Sequence, residues 1–276
     1  APPRGCGRGA RPGMTAAAPA LRQTAALAWR SIITTIRLPQ AWFPALFFPL
    51  VLMAIFTASF GGAPGAVPGF PPVRGFLDFA VCGAVIQGVL IAGTSAGAAF
   101  ATDIEGGFFD RLVASPTSRV AILTGRLGAS MALGAFQAVL FIGIAWAFGA
   151  RVQAGIAGFT IVLLIAVLFA AAVGGLGVFL ALRTGSGEAV QGMFPLFFAL
   201  LFFSSAFFPL ETMTGWYAAV AAANPITYLV EAMRLEVIGG ATTGTALAGI
   251  GIALGLAAIT IGASALALQR RLRVAA

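Results

Sequence analysis

Lysine and histidine are absent from this 276-residue chain, acidic residues number only eight, and cysteine occurs twice. Each shortage removes a class of chemistry. Without lysine there is no GxxxxGK phosphate loop and no Schiff-base amine; without histidine there is no Ser-His-Asp triad and no imidazole metal ligand. Cys6 lies in an arginine-rich tail and Cys82 inside an apolar run, so neither a disulfide nor a zinc site is expected. No catalytic and no metal-binding residue is predicted, and any ATP must be bound by another polypeptide.

What remains is overwhelmingly apolar. Hydrophobic residues make up 60% of the chain and charged residues 9%, with a mean hydropathy of +1.01, against roughly a quarter charged in soluble domains. A bilayer core about 30 Å thick needs around 20 apolar helical residues, because every backbone amide must bond within its own helix. Six such stretches occur, at 41–60, 79–100, 127–149, 156–181, 190–209 and 246–268. None contains Asp, Glu or Arg, each of which costs about 2.5–3.5 kcal/mol at the bilayer centre. The expected architecture is therefore an all-α polytopic membrane protein.

The arginines set its orientation. With the N-terminus inside, thirteen fall in inner segments and only Arg74, Arg151 and Arg234 outside, which places both termini in the cytoplasm. The net charge of +8 thus reflects membrane orientation, not nucleic-acid affinity. A further uncharged stretch, 212–230, competes as a seventh span, but crossing there would put Arg270, Arg271 and Arg273 outside. Many Arg, Ala, Gly and Pro with no Lys point to a GC-rich bacterial genome and a plasma-membrane location.

Residues 1–20 have the composition of a disordered tail, with no closely following apolar run of the kind a signal peptide needs, and Met14 is a candidate start. Residues 21–276 form the membrane domain. Residues 21–38 read as a helix lying on the inner membrane surface, with Leu21, Ala25, Trp29, Ile32 and Ile36 on one stripe and Arg22, Arg30 and Arg37 beside it; a plain cytoplasmic helix is the alternative. Pro39 ends it. The Gly/Pro-rich 61–75 segment reads as an irregular, mobile connector.

Two extramembrane segments carry most of the helix signals. The inner one is ATDIEGGFFDRLVASPTSRVAILTGR, residues 101–126. Thr102 and Glu105 fit a capping box at a helix start, Ile104, Phe108 and Leu112 recur every four residues with Phe109 and Val113 beside them, and Ser115-Pro116 starts the next helix. The Gly106-Gly107 pair costs such a helix up to about 1 kcal/mol per residue, so it needs a partner surface. The outer segment is FFPLETMTGWYAAVAAANPITYLVEAMR. There Asn224 caps a helix begun by Pro225, with Ile226, Leu229, Val230, Met233 and Val237 on an apolar face and Thr227, Glu231 and Arg234 opposite. As an exposed pair, Glu231 and Arg234 would contribute only a few tenths of a kcal/mol.

The run DIEGGFFDRLVASPTSR followed by ILTGR closely resembles the cytoplasmic loop of type-2 ABC exporter permeases of the daunorubicin-resistance kind, and the outer segment resembles their re-entrant region between spans five and six. Glycines at 106 and 107 replace charges often found in that family. The resemblance covers nearly everything beyond residue 20. It implies a coupling helix between spans two and three, outer re-entrant helices, a second permease copy as a homodimer or with a similar permease, two separate ABC ATPase subunits holding ATP and Mg, and no cofactor on this chain.

By the same resemblance the helix near 103–115 docks in an ATPase groove, with Phe108, Phe109 and Leu112 filling it and Asp110, Arg111 and Arg119 fixing register. Spans two and five then line the cargo route, where Gln87, Thr94, Ser95, Gln191, Ser204 and Ser205 are the polar contacts and Phe198 and Phe202 lie among many rings. Those rings equally suit packing against lipid and neighbouring helices. Gly93-to-Gly97 and Gly251-to-Gly255 are GxxxG pairs available for close helix approach. The expected function is ATP-driven export of a hydrophobic or amphipathic drug or antibiotic; export of lipid or lipid-linked glycan is the runner-up. An intramembrane enzyme, a scaffold and a channel are the remaining readings.

Overall fold

The computed structural model describes residues 17–37, 39–114 and 119–274. Among them the regular elements are helices, in the order α1 (Ala17–Arg37), α2 (Pro39–Phe60), α3 (Ala63–Ala66), α4 (Phe76–Glu105), α5 (Phe108–Ala114), α6 (Arg119–Ala147), α7 (Gly155–Thr184), α8 (Gly187–Gln191), α9 (Phe194–Phe202), α10 (Gly215–Ala223), α11 (Pro225–Ile238) and α12 (Thr243–Val274), with a 3-10 turn at Leu210–Thr212. Five helices are long and apolar enough to cross a bilayer: α2, α4, α6, α7 and α12. The tail at 1–16 lies outside the described residues.

α4 forms the axis of the bundle. It is buried along most of its length, with α2, α6, α7, α8 and α11 packed around it, while α2 and α12 turn most of their surface outward. Close approach to α7 depends on glycine. A Cβ placed on Gly97 would lie 2.6 Å from the Cα of Gly177, and one on Gly93 would lie 2.3 Å from Val173. Buried side-chain amides and hydroxyls add interhelical ties: Gln137 donates to the carbonyls of Ala45 (3.1 Å) and Gly88 (3.2 Å), and Ser264 to that of Gly175 (2.6 Å). Each such bond is worth about 0.6 kcal/mol in a membrane protein.

Three expectations need correction. The apolar run 190–209 is not one helix: α8 ends at Gly192, α9 starts with Pro195 in its first turn, and residues beyond Phe202 turn back through Ser204 and Ser205. The second long helix continues to Glu105, so Thr102 and Glu105 form no capping box; the Thr102 hydroxyl bonds back to Ala98 (3.1 Å) inside the same helix. The 61–75 connector contains α3 and is anchored by Phe70, whose ring packs on Phe79 (5.0 Å) and Phe76 (6.0 Å). As expected, 212–230 is no single span: it holds two short helices broken at Asn224-Pro225, neither of spanning length.

α1 forms as expected and ends at Arg37, with α2 starting at Pro39. It lies along α6, where Leu27 and Ala28 sit over Gly125 and Gly128. Trp29 and Ile36 face away from the protein.

Candidate functional site

The inner site begins where α4 stops. Gly106 caps α4 and Gly107, at φ 69°, takes the left-handed conformation that lets the chain reverse into α5 without a Cβ clash. α5 is amphipathic in an unexpected register. Phe109, only 2% exposed, inserts into the bundle, edge-on to Phe100 at 5.7 Å, with the Arg271 guanidinium of α12 5.8 Å from its ring centre. Leu112 packs partly buried beside it.

Phe108 lies at the edge, beneath Arg30 of α1, whose guanidinium carbon is 3.9 Å from the ring centre. Arg30 also approaches Asp103 (3.9 Å), and Asp103 pairs with the largely buried Arg126 of α6. α1, α4, α5 and α6 are thus joined at one place. Asp110 and Arg111 point away from the bundle, exposed. Pro116 lies outside the described residues; Arg119 opens α6, with its side chain outside them too.

Glu105 has a role that no local pattern signals. Its carboxylate accepts the Gly187 N–H at 2.9 Å, tying the end of α4 to the start of α8 across 82 residues. Those two helices, with α2 and α9, border a cavity of about 610 Å³, open on one side and lined by Thr94, Ser95 and Thr102 of α4, Gln191 of α8, and the rings of Phe48 and Phe194. Thr94 and Ser95 donate to carbonyls of their own helix, which satisfies their hydroxyl protons and leaves oxygen lone pairs facing the cavity.

Of the other predicted pathway residues, Phe198 packs in tilted contact between Phe194 (5.6 Å) and Phe202 (4.9 Å) and meets Phe48 (5.7 Å), extending the aromatic wall. Gln87, Ser204 and Ser205 lie elsewhere, fully buried. Ser204 donates to Leu201 (2.5 Å), while the Ser205 N–H donates to the Thr227 hydroxyl (3.3 Å) and the Ser205 carbonyl accepts from Arg234 (2.6 Å), so both hold the turn after α9. The Gln87 amide has no hydrogen-bond partner among the described residues.

The outer region is tighter than an exposed helix. Asn224 caps α11 through Ile226 (2.9 Å) while its amide donates to Leu200 (2.6 Å) and Phe203 (2.7 Å) at the end of α9. Pro225 is the first helical residue. Arg234 is not an exposed partner of Glu231: it is 1% exposed, bonded to Glu231 (2.5 Å), to the Ser205 carbonyl (2.6 Å) and to the Phe79 carbonyl (3.5 Å). Both faces of α11 are therefore buried, and the arginine is kept charged by a carboxylate and two carbonyls rather than by water.

Residues 22–236 match the ABC-2 type transporter family, more than three quarters of the chain. The chain belongs to that family. It is 28% identical over 222 residues to the daunorubicin resistance ABC transporter permease protein DrrB1 of Streptomyces coeruleorubidus, a stretch covering 79% of this chain and 76% of the relative. As an ABC-2 permease it is a multi-pass membrane subunit without a catalytic centre, and permeases of this family work with separate ATPase subunits.

Proposed function

We propose that this permease is the membrane half of an exporter for hydrophobic or amphipathic compounds of the drug or antibiotic kind. Two copies span the bacterial plasma membrane with both termini in the cytoplasm, and each engages one ABC ATPase, which holds the ATP and Mg. Each copy crosses six times, the broken α8–α9 segment serving as the fifth crossing. This chain binds no cofactor of its own.

The observation that supports the reading best is the shared wall between ramp and cavity. α5 presents exposed Asp110 and Arg111 on one side while Phe109 sits in the bundle against Phe100, one and a half turns along α4 from Ser95. Glu105 ties the same helix to α8, which carries Gln191 on the opposite wall. A push on α5 therefore moves both walls of a cavity whose rings and few hydroxyls suit a flat, mostly apolar cargo. Phe108 and Leu112, at the edge of α5, complete the contact with the ATPase, and Arg119 fixes its register.

Inverted vesicles containing permease and ATPase should accumulate daunorubicin on addition of ATP, and Phe108→Ala or Leu112→Ala should abolish accumulation while the permease stays inserted. Full transport in both variants would remove the coupling assignment; ATP hydrolysis indifferent to every amphipathic compound tried would remove the cargo class.

A further inference from the structure

At the end of the bundle opposite α5 lies a second cavity, about 500 Å³, unrelated to the coupling helix or the inner cavity. Val81 of α4, Ile142 and Trp146 of α6, Ile156 and Phe159 of α7 and Val237 of α11 form its walls. Its volume falls in the range of about 300–1,000 Å³ typical of small-molecule sites. One side is open, and the residues there are apolar: Trp146 is 69% exposed and Ile156 86%. Such a mouth is stable only against hydrocarbon, and a tryptophan there marks the level where acyl chains meet headgroups.

The sole charge in the lining is Arg151, in the connector between α6 and α7. That connector is built, not loose. The Arg151 N–H donates to the Asp78 carboxylate of α4 (3.3 Å), Gln153 donates to the Val237 carbonyl (2.9 Å) and Ala154 to the Glu236 carbonyl (3.2 Å). These bonds fix the backbone at 151 while its side chain stays exposed, and among the described residues no carboxylate pairs with its guanidinium. An unpaired guanidinium on a fixed stretch of backbone at the rim of an apolar cavity, at headgroup depth, calls for an anion carrying a hydrocarbon chain. A phosphate diester satisfies it with parallel N–H···O bonds.

We propose that this cavity binds one anionic phospholipid, its phosphate on Arg151 and an acyl chain against Ile142, Ile156 and Phe159. Its leaflet follows the topology proposed above and is the outer one; the site itself is independent of the cargo and of the ATPase. The lipid would fill the gap between α6 and α7 and make the connector part of the membrane surface.

Native mass spectrometry of the full chain in detergent, titrated with phosphatidylglycerol, tests this. Wild type should retain one lipid per chain. Arg151→Gln should weaken binding about tenfold, the loss expected for one charge-assisted contact. Gly143→Leu, at a lining position where an added Cβ has no atom within 4 Å, should block the cavity and have a similar effect. Arg74→Gln, at the same end of the molecule but away from the lining, should bind as wild type. Unchanged binding in both cavity variants, an equal loss in Arg74→Gln, or equal retention of uncharged diacylglycerol would each overturn the assignment.

Discussion

The guanidinium carbon of Arg234 lies 3.6 Å from the centre of the Phe79 ring, so a charge on α11 is seated on an aromatic face at the start of α4. This contact, with the carboxylate of Glu231 and the Ser205 carbonyl, joins α4 and α11 to the turn after α9, which Asn224 and Thr227 also tie to α11. Arg234→Met should cost about 3–5 kcal/mol, because it strands a buried network, whereas Phe79→Leu should cost nearer ~2 kcal/mol for the lost ring. Thermal unfolding of the purified permease measures both. Adding Glu231→Gln to Arg234→Met should recover part of the loss; an unchanged loss would mean that water already satisfies Glu231.

The two neighbouring phenylalanines of α5 should separate cleanly from the charges beside them. Phe109→Ala removes a fully buried ring and should destabilise the permease by about 3–5 kcal/mol. Asp110→Ala and Arg111→Ala are exposed changes and should stay within about 0.5 kcal/mol of wild type in stability. The expected loss for those two is in ATP-dependent transport and in co-purification of the ATPase. Wild-type transport by the double variant would place the docking surface elsewhere.

Glu236, in α11 and outside the long spanning helices, is 3% exposed beneath the connector whose Ala154 N–H bonds its backbone. Burial pushes its carboxyl above the usual range. A raised folded-state value means the folded protein holds the proton more tightly than the unfolded chain. The resulting stabilisation is fully present at pH values below the ordinary carboxylate range and is lost as pH rises through the raised value. Melting midpoints should therefore fall as pH rises from the ordinary carboxylate range through the raised value, and Glu236→Gln should flatten that slope; identical slopes would exclude Glu236 as its source.

Which of these features the sequence discloses depends on whether their cause is local. Hydropathy locates α2, α4, α6, α7 and α12 because the bilayer acts on each helix separately. It misreads 190–209, where Gly192 and Pro195 break the backbone inside an unbroken apolar run. Four-residue spacing puts Phe108 and Leu112 on the Ile104 face with Phe109 beside them, because it extends the α4 register through Gly107; the left-handed turn there rotates the face, and Phe109 is buried in the bundle rather than free to fill an ATPase groove. Arg234 and Glu105 have partners distant in the chain, Phe79 at 155 residues' separation and Gly187 at 82, and nothing in their own neighbourhood announces them. The cavity-lining residues Thr94, Ser95 and Gln191 are accessible to pattern reading because polar groups within apolar helices are few; Gln87, Ser204 and Ser205 share that signature and lie outside the cavity.

The two GxxxG pairs give a last, contrasting test. Gly93 and Gly97 are used within one chain, against Val173 and Gly177 of α7, where a Cβ would meet atoms at 2.3–2.6 Å. Gly97→Leu therefore forces α4 and α7 apart, at a cost of roughly 1–3 kcal/mol or more, and should lower the yield of folded permease. Gly251 and Gly255 on α12 have no atom within 4 Å of an added Cβ, so Gly255→Leu meets no obstacle inside the chain. Its melting midpoint should equal that of wild type in detergent. If Gly255→Leu instead lowers the proportion of dimer on chemical crosslinking while leaving that midpoint unchanged, α12 contributes to the contact between copies; unchanged crosslinking assigns this face of α12 to lipid.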